Sequence, residues 1–153
     1  MDVSARADYA VRALLVLAED AEDGPVHPAE QLARRAGVPA KFLEAILADL
    51  RRAGFVTSQR GSGGGYRLAR DPADIPLGAV LRAVDGPLAE VRGIRPHETS
   101  YSGAAEHLAT VWVAARAALR EVLDETTLAD VLRGELPEHV RAMAAAPDAW
   151  RGR

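Results

Sequence analysis

Residues 32–70, LARRAGVPAKFLEAILADLRRAGFVTSQRGSGGGYRLAR, constrain this chain more than any other stretch. Leu43, Ile46, Leu47 and Leu50 fall at i, i+3, i+4 and i+7, a single apolar stripe on a 3.6-residue period, so residues 40–53 are predicted to form a helix with one packed face. Lys41, Ala45, Ala48 and Arg52 lie on the other side, flanked by Glu44 and Asp49. That face is charged at its ends and small in the middle. A second helix precedes it, and the link is only Ala36-Gly37-Val38-Pro39. Glycine supplies the backbone conformation that other residues avoid, and proline suits the first turn of a new helix. Ala33, four residues before Gly37, leaves room for the two helices to cross.

Gly54 is expected to close this helix. Residues 55–59 then read as a strand and residues 65–68 as its return. Between them Arg60-Gly61-Ser62-Gly63-Gly64 is too rich in glycine to pack a core. Helix, tight turn, helix and hairpin together describe a winged helix-turn-helix, whose second helix enters a major groove. The bare wing can lie against phosphates while Arg60 reaches a minor groove. Charge agrees. From Arg34 to Arg70 there are eight cationic side chains and two carboxylates, a local +6 in a chain whose formal net charge is −3.

Several segments in order carry a resemblance: Tyr9-Ala-Val-Arg-Ala-Leu-Leu, then LARRAGVPAKFLEAILADLRRAGFV, RGSGGGYRLAR, IPLGAVLRAVDGP, Trp112 and EVLDETTLADVL. Together they resemble the Rrf-two family of bacterial transcription regulators, the IscR- and NsrR-type winged-helix proteins, over roughly residues 1 to 133. The resemblance implies a homodimer that binds a partly palindromic, double-stranded DNA operator and represses. It places recognition-helix contacts at Pro39, Lys41, Phe42 and Glu44, wing contacts at Arg60, Gly61, Ser62 and Gly63, and phosphate contacts at Ser4 and Arg6. Family members often carry polar residues where Pro39 and Ala40 stand, which implies a different base preference here.

The clearest departure from the family is cysteine. Cluster-binding members place three in the loop and helix start before the tryptophan. This chain has none and offers Val91, Ser100, Glu106 and His107 in that region. Disulfides, thiol sensing and cysteine-held clusters are therefore excluded, and carboxylates and imidazoles are poor substitutes for thiolates. No cofactor is expected. The cluster-free branch answers to a small molecule or a protein partner.

At 153 residues the chain can bury a substantial core. Arginine outnumbers lysine eighteen to one, which suits bidentate phosphate or guanine contacts and equally follows from a GC-rich genome. The first helix is expected from about Ser4 to Glu19, with Ser4 as its cap. It is apolar nearly all round and should be covered on two sides, one by the winged domain and the other by a dimer mate, the alternative being a central core helix covered within one chain. Residues 19–25 form an acidic loop facing away from phosphate. After the wing, residues 76–84 read as a short helix and residues 88–103 as an irregular loop. Residues 104–123 give the longest helical signal, with Leu108, Val111, Trp112, Ala115, Leu119 and Val122 in one stripe read as the dimerisation face. Thr127 to Asp130 resembles a capping box opening another short helix. The tail continues as a short helix from Pro137, with Trp150 docking locally.

The expected fold class is thus mainly α with a small β-hairpin. A winged helix-turn-helix domain (1–86) is followed by a loop (87–103), the dimerisation helix with a short helix (104–133) and a tail (134–153). Other chemistries lack their residues. Tyr66 stands where GxGxxG needs its last glycine, and no GK[ST] follows. Arg60 occupies the first glycine position of a GxSxG elbow around Ser62. His27, His97, His107 and His139 lack metal-ligand spacing and read as solvated or capping groups. No catalytic constellation is present, so an enzyme is not expected. The competing reading is a winged-helix interaction module docking on an acidic protein. The apolar run Val11–Ala18 is too short to span a bilayer and contains Arg12, and no segment reads as a signal peptide; the cytoplasm is the expected location.

Overall fold

A computed structural model describes residues 2–20 and 24–152. The middle of the expected acidic loop, residues 21–23, lies outside the described residues. Three helices come first: α1 (Ala5–Ala18), α2 (Ala29–Ala36) and α3 (Ala40–Arg52). The hairpin pairs β1 (Val56–Gln59) with β2 (Gly65–Leu68) in antiparallel register, Val56 opposite Leu68 and Gln59 opposite Gly65. Then follow α4 (Leu77–Asp85), α5 (Leu108–Asp124), α6 (Leu128–Arg133) and α7 (Glu138–Ala144). The mainly helical class with one small hairpin is as expected.

Local chemistry explains the ends of these elements. Ser4 caps α1, its hydroxyl accepting from the Ala7 N–H at 3.0 Å. α2 ends at Gly37, which holds φ +64°. A side chain there would also sit 2.6 Å from the Arg12 guanidinium, which donates to the Gly37 carbonyl at 2.9 Å. Pro39 is the N-cap of α3, immediately before the helix starts at Ala40 as expected. Thr127 and Asp130 form the reciprocal capping box that opens α6. α5 starts four residues later than expected: Gly103 adopts φ +61°, outside the helical range, and residues 103–105 wind as a separate 3₁₀ turn.

The core is continuous. Leu14, Leu32, Leu43, Ile46, Leu47 and Leu50 are sealed from solvent, as are Ile75, Val80 and Leu128. α1 is its axis and touches α2, α3, α4, α6 and β2. This corrects the expectation that a dimer mate covers the second side of α1: α4 and α6 of the same chain do so. They are held as a unit by backbone bonds, with the Leu77 N–H donating to the Thr126 carbonyl at 2.9 Å and Leu128 to Ile75 at 3.0 Å.

α5 differs. None of its 17 residues is buried. One side leans on α4, where Arg82 pairs with Asp124 at 2.8 Å. Elsewhere around the helix Val111 and Val113 are exposed. At the tail Trp150 docks only through its indole N–H, which donates to the Ala144 carbonyl at 2.7 Å, and the ring itself stays in solvent. No helix among the described residues is long and apolar enough to cross a membrane.

Candidate nucleic-acid interface

The inner stripe of α3, Leu43, Ile46, Leu47 and Leu50, is buried, so packing fixes which residues face out. Lys41, Phe42, Glu44 and Ala45 do, and Pro39 precedes them on the surface. Phe42, at the edge of the apolar stripe, is 47% exposed. Its ring stacks on Tyr9 of α1 with centroids 6.2 Å apart, and the Lys41 ammonium lies 4.8 Å from its centroid. Lys41 and Glu44 do not pair with each other; neither has an ion-pair partner among the described residues.

Arg6 and Asp49 join α1 to this face. Arg6 donates to the Asp49 carboxylate, which also takes Arg52 at 2.8 Å. Arg6, Lys41 and Phe42 line one groove between α1 and α3, so three of the residues singled out by sequence are brought together. Ser4 is less free. Besides capping α1, its hydroxyl donates to Asp85 of α4.

The four wing residues form the exposed hairpin tip. No hydrogen bond or ion pair among the described residues joins the Arg60 or Ser62 side chain to α3. The hairpin is anchored lower down. Arg51 at the end of α3 donates to the Ser58 hydroxyl at 3.2 Å. Phe55, at the entry to β1, is buried.

The hairpin also has an anchor that sequence reasoning missed. His27, expected to be solvated or capping, is buried, and its backbone exchanges two 2.8 Å hydrogen bonds with Tyr66, adding a third extended segment beside β2. Its ring bridges Asp20 at 2.5 Å and Arg35 at 3.3 Å. Gly65 is required there, because any side chain would run into the His27 backbone. The only sequence signal was this third glycine in a row, which marks close backbone approach as well as turning.

The +6 island is smaller in space than in sequence. Arg34 pairs with Glu30 and Arg35 with Glu19. Arg70 donates to the Gly54 and Ala53 carbonyls at 3.0 and 3.3 Å and lies 5.1 Å from the Phe55 ring, so it closes the C-terminus of α3 rather than projecting outward. Lys41 and Arg60 have no ion-pair partner among the described residues and point to solvent. They stand at the start of α3 and at the wing tip, the two places where a winged helix meets a duplex.

Comparison with known proteins agrees with this arrangement. Residues 3–134 match the family model described as "Rrf2: Iron-dependent Transcriptional regulator". The chain is 50% identical over 144 residues to a protein named as an HTH-type transcriptional regulator in Mycobacterium tuberculosis (strain H37Rv), covering 94% of this chain and 89% of that one. Its fold is similar to that of CymR, the global cysteine regulator of B. subtilis, at TM-score 0.72 and 30% identity, covering 88% and 98% of the two chains. It is also similar to T. potens IscR, at TM-score 0.68 and 34% identity, covering 93% and 96%. These relatives are regulators, not enzymes. The family description invokes iron, yet the donor set here does not fit a thiolate-held cluster. The chain contains no cysteine, and among the described residues no three potential ligands converge on a metal position. With the fold, the ordered motifs and these relatives in agreement, this chain belongs to the Rrf2 family of DNA-binding, winged helix-turn-helix transcriptional regulators.

Proposed function

We propose that this chain is a cluster-free repressor that binds a partly palindromic operator as a homodimer in the bacterial cytoplasm. The observation that carries the reading is the contrast between engaged and unengaged cations: Arg6, Arg34, Arg35, Arg52 and Arg70 have partners within the chain, while Lys41 and Arg60 are held out to solvent. Pro39, Lys41, Phe42 and Glu44 then meet the major groove, and Arg60, Gly61, Ser62 and Gly63 track the minor groove beside it. Arg6 keeps exposed N–H groups for phosphate while Asp49 holds it in place. Ser4 supports that contact by capping the helix that carries Arg6.

The dimer reading rests on α5. A 17-residue helix with no fully buried residue carries a stripe that its own chain only half covers: Val111 is 55% exposed, while Leu108, Trp112, Ala115, Leu119 and Val122 are partly shielded. A second copy, packing Leu108, Val111, Trp112, Ala115, Leu119 and Val122 against their equivalents, covers it by the two-fold symmetry that a palindromic operator mirrors. No thiolate is available for an iron–sulfur cluster, so the effector in this reading is a small molecule or a protein.

The test is a gel-shift titration and footprint on the protein's own promoter region, with light scattering on the same preparation. Saturable, competitor-resistant protection of two half-sites by a dimer is expected. Sequence-blind binding that salt abolishes, or a monomer at micromolar concentration, refutes the reading.

A further inference from the structure

The outward face of α3 has few polar groups with which to read bases. Residues 40–52 contain no Asn, Gln, Ser or Thr, so the amide pairing to adenine is absent. Asp49 is occupied by Arg6 and Arg52, and Arg51 by Ser58. Lys41 and Glu44 are left, and both lie in the first half of the helix. The remaining outward surface is apolar. Phe42 is braced by Tyr9 behind it, and Ala45, one turn along, is exposed. These three residues line a groove of about 430 Å³ between α1 and α3, with Arg6 and Lys41 also in its wall.

An apolar surface flanked by two cations matches one feature of a duplex. In the major groove the only methyl group on any of the four base edges is the thymine 5-methyl, and phosphates run along both sides of it. We propose that Phe42 and Ala45 form a receptor for thymine methyl groups, so that this protein selects A·T pairs opposite the first half of α3 by apolar contact. Arg6 and Lys41 hold the neighbouring phosphates and set the depth of the helix. The inference rests on the DNA-binding reading above and names the chemistry by which that face discriminates.

The experiment replaces operator thymines one at a time with uracil, which lacks the methyl and keeps the pairing edge. Binding of the full-length dimer is measured at fixed salt. At one or two positions in each half-site, loss of the methyl is expected to weaken binding about 3- to 5-fold, the worth of one buried methyl-sized group. In the Phe42→Ala protein, and at a neighbouring position in Ala45→Ser, the uracil penalty disappears. Both side chains are exposed, so circular dichroism should show unchanged folding. If the operator is footprinted as expected but no uracil substitution changes affinity, the methyl receptor is wrong and the regulator reading stands. If no sequence-specific site exists, both fall together.

Discussion

α3 and α5 look alike as sequence and differ as structure. Each carries an apolar stripe on a helical period. In α3 the stripe is consumed: Leu43, Ile46, Leu47 and Leu50 are all buried by the same chain. In α5 nothing is buried, although that helix is longer. Periodicity therefore says that a face will be covered, but not by what. α1 gives the converse lesson. Its two apolar sides suggested a mate, and α4 and α6 supplied the second cover from within the chain. The difference separates a winged core that buries its stripe from a helix whose stripe its own chain leaves half-covered.

The largest effect should come from damaging the finished region. Leu47→Ala removes a fully buried side chain where α3 meets the core, and a loss of roughly 2–5 kcal/mol is expected. Urea denaturation should show a lower midpoint at any protein concentration. Val111→Glu strikes the unfinished region. The residue is already exposed within one chain, so the folded protomer should keep its helicity. A charge placed in the proposed dimer seam should weaken association by roughly 2–4 kcal/mol. Sedimentation at several concentrations checks this. A dimer as tight as wild type would mean that α5 is not the seam.

Arg60→Ala acts on neither core nor seam. The side chain is exposed at the hairpin tip. Stability should hold within about 0.5 kcal/mol. Operator affinity should fall by about 1–2 kcal/mol, and the slope of log affinity against log salt should drop by roughly 1 if the guanidinium neutralises one phosphate. Arg70→Ala is the control that sharpens the comparison. It removes the same charge from the same basic stretch, but its contacts are the Gly54 and Ala53 carbonyls. It should lower stability and leave the salt slope nearly unchanged.

These cases mark what was readable in the sequence. The helix-turn-helix, the hairpin and the capping box were legible because each is set by residues within a few positions of one another. Lys41 and Arg60 were legible as outward-facing for the same reason; Phe42, at the edge of the apolar stripe, was not. Contacts spanning tens of residues were not. Nothing near Arg6 in sequence announces Asp49, and nothing near His27 announces Tyr66. Arg70 counted as a free cation until the end of α3 was placed beside it. Counting charges along a segment overstates the footprint whenever the fold brings carboxylates or carbonyls to meet them.

The smallest effect lies at the joint between the two regions. α6 follows α5 directly and sends Leu128 into the winged core, so its first turn ties the long helix to the rest. Asp130 there accepts the Thr127 N–H and hydroxyl, both at 2.8 Å, and its own N–H donates back to the hydroxyl at 3.2 Å. The Thr127 backbone bond, then the Thr127 hydroxyl, hold its carboxyl below the usual aspartate range against partial burial, with Arg133 helping. A carboxyl depressed on folding stabilises the native state at pH values above its unfolded pKa of about 4 and loses that contribution as pH falls toward the folded value. Thr127→Ala should cost about 1 kcal/mol at neutral pH. Asp130→Asn should cost no more than that, and the gap between it and wild type should narrow below pH ~4 as the wild-type carboxyl takes up its proton. Denaturation midpoints measured at neutral and acidic pH check the sign: a gap that widens in acid would show that the carboxylate does not stabilise the joint. If Asp130→Asn also loosens the dimer while Arg60→Ala does not, the first turn of α6 positions α5 for its partner as well as capping a helix.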